Sequence, residues 1–230
     1  MSVRAPNPVT RETPSSLAQS VHRQLKADVL SCRLPPGSRM AAAQLAERFE
    51  VSRTPVHEAL KTLCQEGLLQ VLPRVGYIVT PVTVADIDEI FDLRITLEVL
   101  GAGRAAELVT DQDIANLRAQ HARHRQNLGS GSVDDPAYLD SLMAGNREFH
   151  TTVAALSGNQ RLARIVNGLL DEGQRIYFLY YHSGRPPPPG DPHDDVIRAL
   201  AARDPAAARN AMAAHIQDHQ EGTRAGARLP

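Results

Sequence analysis

Tryptophan is missing from this 230-residue chain, and aromatic residues of all kinds make up only 4% of it. Sheets draw heavily on aromatic and β-branched side chains, so this scarcity, beside abundant Ala and Leu, favours helix-on-helix packing. No apolar run approaches the ~18–20 residues of a membrane span. Met1–Thr10 also lack the apolar core of a secretion signal, so neither a membrane-embedded nor an exported protein is expected, and the expected compartment is the cytoplasm. Cysteine is nearly absent. Cys32 and Cys64 are far apart and form no Cys-x-x-Cys pair, which excludes a cysteine-based zinc or redox site. They read as small hydrophobes in a reducing compartment. Against these absences stand 42% hydrophobic and 22% charged residues, the balance of a folded chain with a substantial core.

Charge divides the chain. Residues 1–82 hold ten Lys/Arg against six Asp/Glu, an excess of four positive charges. The remainder carries five net negative charges, since the whole has a net charge of −1. A basic module facing a polyanion and an acidic module with another task fit that asymmetry.

Periodicity gives the modules their shape. Met1 to about Ser15 is rich in proline and poor in apolar residues, and reads as a flexible tail. Leu17, Val21, Leu25 and Val29 recur every four residues, predicting a helix stopped by Pro35-Pro36-Gly37. A short helix with Leu45, Ala46 and Phe49 on its apolar face follows. Ser52 is placed to cap a third helix, with Pro55 tolerated in its first turn. Val56, Ala59, Leu60 and Leu63 form that helix's inner face, and Gly67 ends it. Leu69–Leu72 and Tyr77–Val79 alternate as strands around a Pro73-Arg74-Val75-Gly76 turn. Three helices with a tight turn between the second and third, then a hairpin, describe a winged helix-turn-helix over residues 16–82. Thr83–Ala85 read as a linker. Residues 86–222 read as an all-helical bundle, with Gly129-Ser130-Gly131-Ser132 a flexible link and Pro186–Pro189 a stiff connector. The fold class is therefore mostly α, in two domains.

The resemblance to a known family becomes specific at the third helix. Leu45-Ala46-Glu47-Arg48-Phe49, followed by Val51-Ser52-Arg53-Thr54-Pro55-Val56-His57-Glu58-Ala59-Leu60, resembles the helix-turn-helix of GntR-family bacterial transcription regulators. The helical remainder resembles the FCD ligand-binding domain of the FadR subfamily. Asp92-Leu93-Arg94 with Leu97-Glu98, Asn146-Arg147-Glu148-Phe149-His150, Ser157-Gly158-Asn159, His193 and His215 carry that likeness. It implies a homodimer that binds a palindromic double-stranded DNA operator, with repression the expected sense, and that responds to a small organic acid.

For DNA, Ser52, Arg53, Thr54, His57, Arg74 and Gly76 are the candidate residues. Capping alone would explain Ser52 and Thr54. Arg53 opposes the macrodipole at a helix start and so needs another reason to be there. It is the leading candidate for a base-edge or phosphate contact, Arg74 in the wing for an adjacent groove, and Gly76 for supporting the turn. His57 stands where the family commonly has Arg, and Ala42-Ala43, before the second helix, where it commonly has polar residues. Both departures bear on operator sequence or affinity.

In the second module, Asn146 and His150 share one helix face at i and i+4, and a bundle can bring His193 and His215 alongside. The resemblance implies that these four hold a divalent metal ion, zinc first. Metal-binding FCD domains carry an Asp-x-x-x-His pair and two further histidines. Asn146 replaces the Asp, and a neutral amide oxygen is a weaker ligand. His219 has no counterpart in the family and is placed on the surface. Arg94 matches a family Arg and suits a carboxylate bidentately, while a salt bridge to Glu98 at i+4 is an equally good use of it. Three imidazoles on a metal can activate water, but no motif places a general base beside them, so an enzyme is not expected.

Overall fold

The computed structural model describes residues 14–129, 131–182 and 193–226. The tail expected at Met1–Ser15 lies almost wholly outside these residues, as do Ser130 of the Gly/Ser link and the connector at Pro186–Pro189. The chain divides into two compact units, Met1–Val29 with Arg33–Pro81, and Leu30–Cys32 with Val82–Pro230. The described residues form nine helices and three short strands. None of these helices is long and apolar enough to cross a membrane.

The first unit contains α1 (Pro14–Leu30), β1 (Arg39–Met40), α2 (Ala42–Arg48), α3 (Arg53–Gln65), β2 (Leu69–Leu72) and β3 (Gly76–Val79). Helix α1 begins at Pro14, where a flexible tail was expected. Its Val21, Leu25 and Val29 are buried with Leu45 of α2, Leu60 and Leu63 of α3, and Leu68 and Val79. Each such side chain contributes roughly 1.5–3 kcal/mol by leaving water. His22 and Lys26 of α1 both reach Glu66, at 2.9 and 3.1 Å, fastening α1 to the end of α3.

The turn between α2 and α3 is made by Glu50 in the left-handed region, with a φ of +54°. Ala42 and Ala43 lie within the first turn of α2, not before it. Ser52 sits at the N-cap position of α3, but its side chain makes no capping bond, which leaves the hydroxyl outward and exposed.

Strand β1 has no periodicity to announce it, being two residues long. It exists because β3 offers it an edge, with Arg39 opposite Ile78 and Met40 opposite Tyr77, giving a sheet ordered β1-β3-β2. In the β2–β3 connection it is Arg74 that turns left-handed, with a φ of +65°. Gly76 is needed for a second reason besides its φ of +129°: a Cβ there would lie 2.5 Å from the Met40 carbonyl oxygen of β1. These elements make a winged helix-turn-helix.

The second unit contains α4 (Val84–Leu108), α5 (Asp111–Leu128), α6 (Pro136–Leu156), α7 (Gln160–His182), α8 (Asp194–Ala201) and α9 (Pro205–Gly226). Helix α4 packs against α6, α7, α8 and α9. Gly101, Ala102, Gly103, Ala105 and Ala106 line its buried side, small enough to let its neighbours approach. The expected linker at Thr83–Ala85 is instead the start of this helix. Thr83 Oγ1 accepts from the Asp86 amide at 3.2 Å and Asp86 accepts from the Thr83 amide at 2.6 Å, a reciprocal cap that commits Val84 and Ala85 to the helix. Thr110 and Asp113 repeat the device at α5, and Asp135 with Pro136 starts α6.

Candidate functional site

Three helix positions converge inside the second unit. His150 projects from α6, His215 from α9, and His193 is the residue from which α8 starts. All three are buried, and one nitrogen from each lies within 4.8 Å of the others. His150 Nε2 and His215 Nε2 are 3.0 Å apart, with their rings nearly parallel at 5.0 Å between centroids. Phe149 stacks on His193 at 4.0 Å and holds that ring in place.

Behind the imidazoles runs a chain of charge. Glu98, one turn after Arg94 on α4, accepts from Arg94 Nε at 2.7 Å through Oε1, while its Oε2 accepts a short hydrogen bond from His150 Nδ1. Arg94 Nη1 donates to the Tyr177 hydroxyl at 2.9 Å, and its guanidinium lies over Phe91. Arg94 is 1% exposed and Glu98 3%. Burial alone would raise the Glu98 carboxyl, but Arg94 and then His150 outweigh it and hold it at about 2. An ionised carboxylate cannot donate, so His150 carries its proton on Nδ1 and, when neutral, turns the Nε2 lone pair towards His215. This is how a carboxylate commonly orients a metal-ligating histidine.

Burial, followed by the neighbouring His150, keeps His193 and His215 well below the ordinary histidine value. Both are therefore neutral near pH 7, the form that binds metal. His215 Nδ1 is buried and has no hydrogen-bond partner among the described residues. Two nitrogens about 3.0 Å apart suit adjacent ligands on one cation, given metal–nitrogen bonds of ~2.0–2.1 Å. Neutral imidazoles, close spacing and a supporting carboxylate together fit a divalent metal ion.

The remaining candidates take definite places. Asn146, half-buried one turn before His150, lines a small cavity of about 10 Å³ with Met143, Arg147, Leu170, Gln174 and Tyr177. That is room for about one water molecule. Arg94 makes the Glu98 salt bridge, and its fork also reaches Tyr177. His219, expected on the surface, is turned inward instead. Its ring meets His215 at 4.8 Å and Tyr177 at 5.5 Å, and its Nε2 is buried. The reason is register: on α9, His219 stands four residues from His215 and shares its inward face. Sequence reasoning missed Tyr177 and the Glu98–His150 bond altogether. The Arg94/Glu98 spacing was visible, but nothing local joins residue 98 to residue 150.

In the first unit, Ser52, Arg53, Thr54 and His57 are all exposed on the outer side of α3, opposite its buried Val56, Ala59, Leu60 and Leu63. Tyr77 of β3 approaches His57 Nδ1 at 3.5 Å. Arg74 is exposed at the hairpin tip.

Two family models match the chain. Residues 17–79 match the model described as bacterial regulatory proteins, gntR family, and residues 89–218 match the FCD domain. The HTH-type transcriptional regulator BphR of Paraburkholderia xenovorans is 31% identical over 207 residues, 89% of this chain and 82% of that protein. The chain belongs to the GntR family.

Other proteins resemble it along most of its length. The HTH-type transcriptional repressor RspR of Escherichia coli is 28% identical over 90% of this chain and 88% of its own. The solved structure of E. coli McbR/YncC superposes with a TM-score of 0.74 at 26% identity, covering 88% of this chain and 94% of that one. This GntR-family protein is a bacterial helix-turn-helix transcriptional regulator with an FCD ligand-binding domain. The relatives named above are transcription regulators.

Proposed function

We propose that this regulator binds a palindromic operator as a homodimer, with repression as its default sense, and that a small organic acid docking beside a zinc-type metal ion in the FCD domain changes its hold on DNA. The observation that carries the reading is the buried run Tyr177–Arg94–Glu98–His150, which places a carboxylate-binding guanidinium and a candidate metal ligand on the same Glu98. His150, His193 and His215, with Asn146 as a weaker fourth ligand, would hold the ion. The ion supplies a positive centre that attracts a carboxylate, and the missing Asp charge at Asn146 leaves it less neutralised. Arg94 provides the second anchor, and the acid competes with Tyr177 for its Nη1.

The homodimer is supported by an exposed apolar stripe. Leu93, Leu100 and Leu108 recur along α4 at 51%, 46% and 54% exposure, with Ile165 of α7 at 53%. Large apolar side chains left exposed in a row along one helix suit an interaction face. For DNA, Ser52 and Thr54 would contact phosphate and Arg53 a base edge, with His57 deeper along the helix and Arg74 on the wing beyond Gly76.

Fluorescence anisotropy on duplexes from upstream of the protein's own gene tests the reading. The wild type should prefer one palindromic duplex over scrambled DNA, and Arg53→Ala should weaken that preference by about 1–3 kcal/mol. Equal binding of specific and scrambled duplexes, with the same salt dependence in both proteins, would defeat it.

A further inference from the structure

Two orphan nitrogens stand side by side on α9. His215 Nδ1 and His219 Nε2 are both buried, and neither has a hydrogen-bond partner among the described residues. The two rings are 4.8 Å apart and nearly perpendicular. His219 also meets the Tyr177 ring edge-on at 5.5 Å, so it borders the residue that occupies Arg94. His219 is not one of the three clustered imidazoles, whose nitrogens all lie within 4.8 Å of one another. A buried polar atom left without a partner costs free energy, and native proteins rarely keep one without a use. A ligand oxygen removes that cost, whereas a methyl group in its place does not.

We propose that His219 is a specificity-determining residue of the effector site, contributing Nε2 as a second polar contact beyond Arg94, so that the effector is a short acid bearing a further oxygen group, a hydroxyl or a second carboxylate. The inference rests on the proposal that an acid docks at Arg94, and adds what must stand at its other end. A monofunctional acid of the same length satisfies Arg94 and leaves His219 unpaired. A hydroxy acid or diacid satisfies both. Sites built to hydrogen-bond a polar group discriminate strongly against analogues that lack it. Tyr177 lies against both anchors, its hydroxyl 2.9 Å from Arg94 Nη1 and its ring 5.5 Å from that of His219, so a short molecule spans the two.

Three size-matched probes test this: propionate, lactate and malonate, titrated calorimetrically into full-length, zinc-loaded protein. The wild type should bind lactate or malonate at least roughly tenfold more tightly than propionate, about the worth of one hydrogen bond. His219→Leu should lose that preference while keeping the wild-type affinity for propionate and the wild-type zinc content. His219→Gln, which keeps a donor, should recover part of it. Should both variants fail to fold, the ring nitrogens of ¹⁵N-labelled histidine in the wild type give the answer. The His219 Nε2 resonance should shift with lactate and stay in place with propionate. A preference that survives His219→Leu, or a resonance indifferent to lactate, overturns the role of His219 alone. If none of the three acids binds the wild type, acid docking at Arg94 falls, and this inference with it.

Discussion

Replacing Glu98 by Gln removes one charge and almost no volume from a fully buried ion pair of the second unit. Two partners lose the carboxylate together: Arg94, whose Nε donates to Oε1 at 2.7 Å, and His150, whose Nδ1 donates to Oε2. At 1% exposure the Arg94 guanidinium cannot turn to water for compensation. Breaking a buried pair by removing one partner typically costs about 3–5 kcal/mol. For a chain of this size each kcal/mol corresponds to roughly 2–4 °C, so the melting transition of the second unit should fall by about 6–20 °C. Metal affinity should drop roughly 10–100-fold, because the amide no longer fixes the His150 tautomer. Circular dichroism with urea, on metal-free protein, reads the first effect, and zinc calorimetry the second. The double variant Arg94→Met/Glu98→Leu removes both charges and should recover much of the loss. A single-variant loss under about 1 kcal/mol, or a double variant showing the plain sum of two single losses, would refute the claim that Glu98 is the electrostatic hinge of the site.

Gly76→Ala places a methyl 2.5 Å from the Met40 carbonyl at a φ of +129°, so β1 should detach from β3 at a cost above ~1 kcal/mol. The urea midpoint of the first unit measures this, and an unchanged midpoint counts against the close approach. In metal-free protein, burial keeps His193 and His215 well below the usual histidine range and holds His219 at about 3. These groups stay neutral when folded and take protons only when unfolded. Stability is therefore fully present above about pH 6.5 and falls as the solution is acidified, by roughly 1–2 kcal/mol per histidine between pH 7 and pH 5. A urea midpoint that stays flat across that interval contradicts their burial as neutral rings.

Local chemistry made much of this fold legible. The spacing of Val56, Ala59, Leu60 and Leu63 defines the buried face of α3, and with it the exposed row of Arg53, Thr54 and His57. Ser157 ends α6, and Asn159 starts α7 by accepting from the Arg161 and Leu162 amides. What stayed hidden depends on contacts between distant parts of the chain. Strand β1 has too few residues to show a period and owes its form to β3. Thr83–Ala85 resembled a joint because its capping partner, Asp86, was counted with the helix beyond. His150, His193 and His215 were found through a motif, but Glu98 was weighed only against its helical neighbour Arg94, since the His150 bond spans 52 residues. His219 lies outside the family motif, and its inward place follows from the plain helical period it shares with His215.

Zinc titration of metal-stripped protein by calorimetry, run in parallel on wild type and His150→Ala, tests the three-histidine centre most directly. One ion per chain should bind the wild type tightly, and the variant should lose that binding while its helical circular-dichroism signal is retained. Equal stoichiometry and affinity in the two proteins, or no binding by the wild type, would contradict a metal site at His150, His193 and His215.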